Sequence, residues 1–114
     1  MKKTILFLSA LAILACKNEP KDYVIFTGKI IDKNSDSIVI SNQDYSKIIK
    51  VNDDGTFSDT LKVADGKYTF YDGGESTTLF LKNGYELNMD LDTKMFDETI
   101  SYTGIGSETN NYLA

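Results

Sequence analysis

The side chains that most often carry out catalysis are scarce in this 114-residue chain. It has one cysteine, Cys16, and no histidine. Without histidine, no Ser-His-Asp or Cys-His arrangement can activate a nucleophile. A single thiol can form neither an intrachain disulfide nor a CxxC redox pair, and zinc would be left with carboxylate ligands alone, which it rarely accepts. We therefore predict that this chain is not itself an enzyme and that it needs no metal or cofactor.

Acidic residues are the remaining candidates for chemistry. Asp90 and Asp92 form a D-x-D pair, with Glu86 on the same face of a predicted strand. Side chains at i and i+2 on a strand stand roughly 6.8 Å apart, whereas calcium takes six to eight oxygens at about 2.3–2.6 Å. The segment Asp53-Asp54-Gly55 lacks the spacing of a calcium loop. We interpret the first group as a solvated strand face and the second as a hairpin turn.

Two other features could bind a ligand. Gly104-Ile105-Gly106 precedes a predicted helix and could cradle phosphate through backbone N–H groups. No basic residue lies near it in sequence, which favours a simple strand-to-helix corner. The chain also has seven tyrosines, six phenylalanines and no tryptophan, and aromatic residues serve both as binding surfaces and as ordinary core residues. The candidates for an exposed ligand or partner surface are Tyr23, Tyr45, Tyr71 and Tyr102.

The first residues have the layout of a secretory signal. Lys2 and Lys3 precede an apolar run from Ile5 to Ala15, interrupted only by Ser9, and the chain becomes polar after Cys16. A basic start with a short apolar core is typical of export signals. The run is shorter than the roughly 20 apolar residues that span a membrane. We predict that residues 1–15 are a signal peptide.

The residues Ile13-Leu14-Ala15-Cys16 resemble the bacterial lipobox. Small Ala15 suits cleavage before the cysteine, while Ile13 stands where leucine is more common. The resemblance implies a thioether between the Cys16 sulfur and a diacylglycerol, followed by cleavage and acylation of the new amine. Acyl chains contribute roughly 0.8 kcal/mol per buried CH₂, so two or three would anchor the chain stably. We expect a lipoprotein of the bacterial cell envelope facing the periplasm; the alternative is an apolar helix with an incidental cysteine.

The mature chain, residues 16–114, is expected to be one acidic domain on a short lipidated tether, residues 16–22. Removing Lys2 and Lys3 with the signal peptide leaves 10 basic and 17 acidic residues, a net charge of −7. This charge argues against nucleic acid as a partner, because nucleic acid requires a basic face. It also argues against electrostatic docking on anionic lipid. The lipid on Cys16 is therefore the expected membrane attachment.

Short β patterns alternate with turn signals after the tether, at the roughly 8–12-residue spacing of a sandwich or barrel. The clearest pattern is Tyr85 to Asp92, where apolar and polar residues alternate. Asn83-Gly84 before it is the strongest hairpin signal. We predict an all-β domain over residues 23–106, an antiparallel β-sandwich or open barrel of about seven or eight strands. The predicted strands are 23–32, 37–41, 46–51, 56–63, 67–71, 77–82, 85–92 and 100–103. The predicted core is Phe26, Ile30, Ile38, Ile40, Phe57, Leu61, Tyr68, Phe70, Leu79, Leu81, Leu87, Met89 and Leu91.

The last residues, 107–114, read as the start of a helical linker. Ser107 is predicted to cap a short helix that begins at Glu108. The helix has room for barely two turns before Ala114. Either it completes the domain or this chain is the front piece of a longer protein, and we favour the second.

Six stretches of the mature region occur in the order seen in one known family. They are Phe26-Thr27-Gly28-Lys29-Ile30, Asp54-Gly55-Thr56-Phe57, residues 78–85, Phe96-Asp97-Glu98-Thr99-Ile100, residues 102–108 and Asn110-Asn111-Tyr112-Leu113. In this order they resemble the N-terminal β-rich domain of lipid-anchored, TlpA-like thiol–disulfide oxidoreductases of Bacteroidota. Their order is more specific than any single stretch, and so is the final run G-x-G-S-E-x-N-N-Y-L, which spans the last two stretches.

The resemblance implies that a helical linker and a thioredoxin-fold domain, with the reductase CxxC, follow the β domain. The catalytic residues of the family have no positions in this chain. We therefore expect a non-catalytic, lipid-anchored accessory domain of an envelope thiol–disulfide oxidoreductase system, truncated before the thioredoxin domain. If the full-length protein is longer, it is expected to be a thiol–disulfide oxidoreductase. The alternative is a stand-alone envelope lipoprotein that binds a glycan or a peptide, and the sequence identifies no small-molecule ligand.

Overall fold

Eight strands and three short helical segments make up residues 21–114, the part of the chain that the computed structural model describes. The predicted signal helix, the lipobox residues and Cys16 lie outside the described residues. The strands are β1 (Val24–Ile31), β2 (Ser37–Ser41), β3 (Ser46–Lys50), β4 (Thr56–Leu61), β5 (Gly66–Tyr71), β6 (Ser76–Leu81), β7 (Glu86–Asp92) and β8 (Ser101–Ile105). The helical segments are a 3₁₀ turn (Thr93–Met95), α1 (Phe96–Thr99) and α2 (Ser107–Leu113).

The strands form two four-stranded sheets that enclose one core. Sheet A has the order β4-β1-β7-β8 and sheet B the order β3-β2-β5-β6. The predicted all-β sandwich of about eight strands is therefore confirmed. Five strand pairs are antiparallel, but β1 and β7 run parallel, which the prediction of a purely antiparallel sandwich did not include. Because the chain reverses direction at each strand, two odd-numbered strands that become neighbours must run the same way.

The core follows the period-two alternation of the sequence. All thirteen residues predicted to form the core are buried. Phe26 of β1 packs with its ring centre 5.1 Å from that of Phe57 in the same sheet and 6.4 Å from that of Phe70 in sheet B. Six further apolar residues are buried with them: Val24, Ile49, Val51, Val63, Phe96 and Tyr102.

Close packing within sheet A explains the glycine in the middle of β1. A Cβ atom on Gly28 would lie 2.4 Å from the carbonyl oxygen of Met89 and 2.5 Å from the Phe57 ring. Real Cβ atoms do not approach other atoms this closely, so only glycine fits there without moving β7 or the ring. Gly28 is thus required by the packing of the three neighbouring strands β4, β1 and β7.

The β7–β8 connection contains helical structure that the sequence pattern did not predict. Asp92 accepts a hydrogen bond from the amide of Lys94 (3.0 Å), which starts the 3₁₀ turn. The following four-residue α1 places Phe96, 3% exposed, against the core. None of the helices within residues 21–114 has the length and hydropathy that a membrane crossing requires.

The segments between strands lie at two opposite ends of the sandwich. We name as the N-terminal end residues 21–23, 42–45, 62–65, 82–85 and Gly106, and as the distal end residues 32–36, 51–55, 72–75 and 93–100. Hydrogen bonds tie segments together within each end. The amide of Gly84 donates to the carbonyl of Tyr23 at the N-terminal end (3.0 Å), and the side chain of Asn34 donates to Asp72 at the distal end (3.1 Å). The first described residues and the start of α2 therefore lie at the same end.

Candidate functional site

The last helix, α2, lies across the side of the sandwich where β6 and β8 are edge strands. Asn110 of this helix is fully buried. Its Oδ1 accepts a hydrogen bond from the backbone amide of Phe80 in β6 (2.8 Å), and its Nδ2 donates to the Phe80 carbonyl (2.9 Å). Nδ2 also donates to the carbonyl of Gly106 (2.9 Å). The Asn110 amide thus occupies the hydrogen-bonding position of a neighbouring strand on sheet B.

The next residue, Asn111, makes the equivalent contact on sheet A. Its Oδ1 accepts from the amide of Tyr102 in β8 (2.8 Å), and its Nδ2 donates to the Tyr102 carbonyl (3.0 Å). We name this pair, Asn110 and Asn111, the asparagine clamp. Unpaired edge strands invite association with other chains, and the clamp satisfies one residue on each of the two edges. The contacts of Asn110 and Asn111 with β6 and β8 were not predicted from the sequence.

A sharp corner joins β8 to α2. Gly106 has φ 102°, and a Cβ on it would lie 2.3 Å from the Tyr85 ring. The helix begins at Ser107 with Gly106 as its N-cap residue, and no side chain caps it. The prediction that Ser107 caps a helix starting at Glu108 was therefore wrong, because the corner needs a left-handed glycine at the position before it.

The interpretation of Gly104-Ile105-Gly106 as a strand-to-helix corner is confirmed. A shallow cleft of about 320 Å³ lies beside it, lined by Tyr85 and residues 104–109. These lining residues include one acidic side chain, Glu108, and no lysine or arginine. The cleft therefore lacks the positive charge that would favour a phosphate group.

The four tyrosines proposed as a ligand or partner surface do not lie together. Tyr102 is buried, 3% exposed, which corrects its prediction as an exposed residue. Tyr102 is the buried residue of β8, and its neighbours Ser101 and Thr103, which point to the opposite face, are exposed. Tyr71, 44% exposed, is the last residue of β5, at the distal end. Tyr23 and Tyr45 are partly buried and belong to the N-terminal end.

The acidic residues singled out in the sequence have separate local partners. Glu86 forms an ion pair with Lys21 (3.5 Å), Asn88 donates to Asp90 (3.3 Å), and Asp92 caps the 3₁₀ turn. Within residues 21–114 no group of three or more metal-ligating side chains converges. The D-x-D face is thus arranged as a polar strand surface.

The segment Asp53-Asp54-Gly55 forms the β3–β4 turn and lines the larger cleft, about 550 Å³, together with residues 29–33. Asp54 accepts hydrogen bonds from the hydroxyl of Thr56 (2.6 Å) and from its amide (3.0 Å), which lower the pKa of the Asp54 carboxyl. Asp32 in the same cleft pairs with Lys94 (3.5 Å). In this cleft Asp54 therefore stabilises the turn and Asp32 forms a surface ion pair.

The burial of one acidic residue, Asp72, was not predicted from the sequence. Asp72 is 1% exposed and accepts hydrogen bonds from the amides of Gly74 (2.8 Å) and Glu75 (2.7 Å) and from the side chain of Asn34 (3.1 Å). This arrangement closes the β5–β6 turn and ties it to the β1–β2 loop. The Asp-Gly-Gly sequence, typical of a turn with a side-chain acceptor, is the signal that could have indicated it.

Comparison of the chain with protein-family models, with curated proteins and with solved structures found no match.

Proposed function

We propose that this protein is a lipid-anchored, non-catalytic accessory domain of an envelope thiol–disulfide oxidoreductase system. The observation that carries the proposal is the asparagine clamp. Four hydrogen bonds from consecutive residues of α2 reach Phe80 in sheet B and Tyr102 in sheet A. A helix held to both sheets is suited to positioning a module that follows it, because the module would leave the domain in a fixed direction.

The path of α2 supports this role. The helix starts at Ser107, next to Gly106 at the N-terminal end, and by Asn111 it lies beside Tyr102, which pairs with Met89 in the middle of β7. It therefore runs back along the edge of the sandwich toward the distal end. A module attached after α2 would be directed away from the end at which the N-terminal tether joins the domain.

The single thiol of the chain supports a non-catalytic role. If Cys16 carries a diacylglycerol, its sulfur is a thioether and cannot provide the thiolate that disulfide exchange requires. The reducing cysteines would then have to belong to another module. This domain would contribute attachment to the membrane, distance from it and orientation.

The alternative, a glycan- or peptide-binding lipoprotein, has lost its main support. An exposed tyrosine cluster would favour this alternative, but Tyr71 lies at the end opposite to Tyr23 and Tyr45, and Tyr102 is buried. The two clefts are polar or acidic and contain few aromatic side chains. Within residues 21–114, no feature favours the binding module over the accessory domain.

Reading the genomic DNA past the codon for Ala114 tests the proposal. We expect the reading frame to continue into a helical linker and a thioredoxin-like sequence with a CxxC. A stop codon at that point, with no thioredoxin-like sequence downstream, would contradict the proposal that this domain precedes a redox module.

A further inference from the structure

We propose that the N-terminal end of the sandwich rests on the bilayer that holds Cys16, so that the domain stands upright with its distal end pointing away from the lipid. This orientation rests on the proposed lipid anchor. The surface that contacts the bilayer is the N-terminal end of the sandwich.

The length of the tether is the first argument. Five Cα–Cα steps separate Cys16 from Lys21, a reach of at most about 18 Å. Lys21 lies at the N-terminal end, where it forms a surface ion pair with Glu86 (3.5 Å), and the chain is fixed to sheet A from Ile25, whose amide donates to the carbonyl of Tyr85 (3.0 Å). The eight residues of β1 extend about 26 Å from there. The N-terminal end must therefore remain near the membrane, and the distal end lies beyond the reach of the tether.

The distribution of charge is the second argument. The segments of the N-terminal end contain three acidic and three basic residues, a net charge of zero, whereas those of the distal end contain eight acidic and two basic residues, a net charge of −6. An anionic lipid surface repels negative charge within about a Debye length. Of the two ends, only the N-terminal end can approach such a surface without this repulsion.

The side chains at the N-terminal end are the third argument. It carries three partly buried tyrosines, Tyr23, Tyr45 and Tyr85, and next to it Ile105 is 55% exposed. Tyrosine is favoured at the level of lipid headgroups because its ring is apolar and its hydroxyl is polar. Lys62 and Lys82 at the same end have long stems that can lie along an apolar surface with the charge in water.

A single tryptophan can report the orientation, because the chain has none of its own. Gln43→Trp places the tryptophan in the β2–β3 turn of sheet B. The tether joins sheet A, so the tether alone does not bring this turn to the lipid. The tryptophan therefore approaches the lipid only if the domain stands upright. Met95→Trp is the matched control, an uncharged, exposed position at the distal end. Each full-length lipidated chain is reconstituted in vesicles of phosphatidylethanolamine and phosphatidylglycerol with a headgroup-nitroxide lipid as quencher.

We expect the nitroxide lipid to quench Gln43→Trp strongly and to leave Met95→Trp close to its fluorescence in unlabelled vesicles. Equal quenching of both, stronger quenching of Met95→Trp, or no quenching of Gln43→Trp on floated vesicles would overturn the orientation.

If the native chain does not float, the lipid-anchor proposal has failed. The Cys16 thiol is then coupled to maleimide lipid in the same vesicles, and the quenching pattern still decides the orientation. Urea unfolding of both variants shows that each is folded.

Discussion

Asn110 of α2 pairs with both the backbone amide and the backbone carbonyl of Phe80, thirty residues earlier in β6, at 2.8 and 2.9 Å. A seven-residue helix is unstable alone in water, so contacts of this kind must hold α2 in place. Asn111 pairs in the same way with the backbone amide and carbonyl of Tyr102 in β8. The helix therefore joins the two sheets along their edge strands, β6 and β8.

The two asparagines should protect different amides from hydrogen exchange. Asn110→Ala is expected to speed the exchange of the Phe80 amide and leave that of Tyr102 nearly unchanged, whereas Asn111→Ala is expected to do the reverse. Asn110→Ala should also lower the free energy of unfolding by about 2–4 kcal/mol, because buried backbone groups lose their partners. Asn111→Ala, at an exposed position, should lower the free energy of unfolding by about 1 kcal/mol.

Asn88→Ala is the control for these variants. Asn88 accepts a hydrogen bond from Thr27 on the outer face of sheet A (2.9 Å) and has no hydrogen bond to α2. Amide exchange by NMR, with urea unfolding for the free energies, measures all three variants. Equal exchange at Phe80 and Tyr102 in both clamp variants would show that the two contacts do not act separately.

The corner before α2 should tolerate only glycine, for reasons of space as well as conformation. Gly106 and Gly84 both have φ near 100°, but a Cβ on Gly106 would meet the Tyr85 ring at 2.3 Å and one on Gly84 would meet nothing within 4 Å. Asparagine tolerates this conformation. Gly84→Asn should therefore cost less than about 1 kcal/mol of unfolding free energy, and Gly106→Asn about 2–4 kcal/mol through overpacking. Similar costs in urea unfolding would contradict the role assigned to Tyr85.

Removing the hydroxyl of Tyr102 should stabilise the folded domain. Its hydroxyl oxygen is buried and has no hydrogen-bond partner among residues 21–114, whereas the hydroxyl of Tyr68 donates to the carbonyl of Ala64 (2.6 Å). Tyr102→Phe should therefore raise the free energy of unfolding by about 1 kcal/mol, and Tyr68→Phe should lower it by about 1 kcal/mol. Thermal and urea unfolding at pH 7 measure both. A loss of stability in Tyr102→Phe would indicate that the hydroxyl has a partner after all.

The same tyrosine should make stability fall at alkaline pH. Burial raises the pKa of Tyr102 well above its ordinary value of 10.0, and burial also raises the pKa values of Tyr45 and Tyr68. Above pH 10 the unfolded chain loses phenol protons that the folded chain keeps, so the free energy of unfolding decreases as pH rises. Urea unfolding between pH 8 and pH 11 should show the decrease, with a shallower slope in Tyr102→Phe. An equal slope would mean that Tyr102 titrates normally.

The strands and the core could be predicted from the sequence because both depend on local alternation. The Leu87, Met89 and Leu91 series indicates which face of β7 is buried whichever strand lies beside it. The alternation does not identify the neighbouring strand. The parallel pairing of β1 with β7 joins residues about sixty positions apart, and a period of two is the same for parallel and antiparallel neighbours.

The contacts of α2 could not be predicted for a related reason. Asparagine is a typical turn and cap residue, so Asn110 and Asn111 gave no sign of partners in β6 and β8. The burial of Tyr102, in contrast, was predictable, since Tyr102 lies between polar Ser101 and Thr103 and follows apolar Ile100 at the two-residue period of a strand. The four-residue α1 is too short for a helical period to be recognised, so the burial of Phe96 had no sequence signal.

Replacing Cys16 with serine tests the lipid anchor most directly. The native chain and a Lys17→Ala control should be recovered in the membrane fraction and should incorporate labelled palmitate. Cys16→Ser should incorporate no label and should not be processed like the native chain, while urea unfolding shows an unchanged fold. If Cys16→Ser stays in the membrane fraction and is processed like the native chain, the protein is not anchored through this residue.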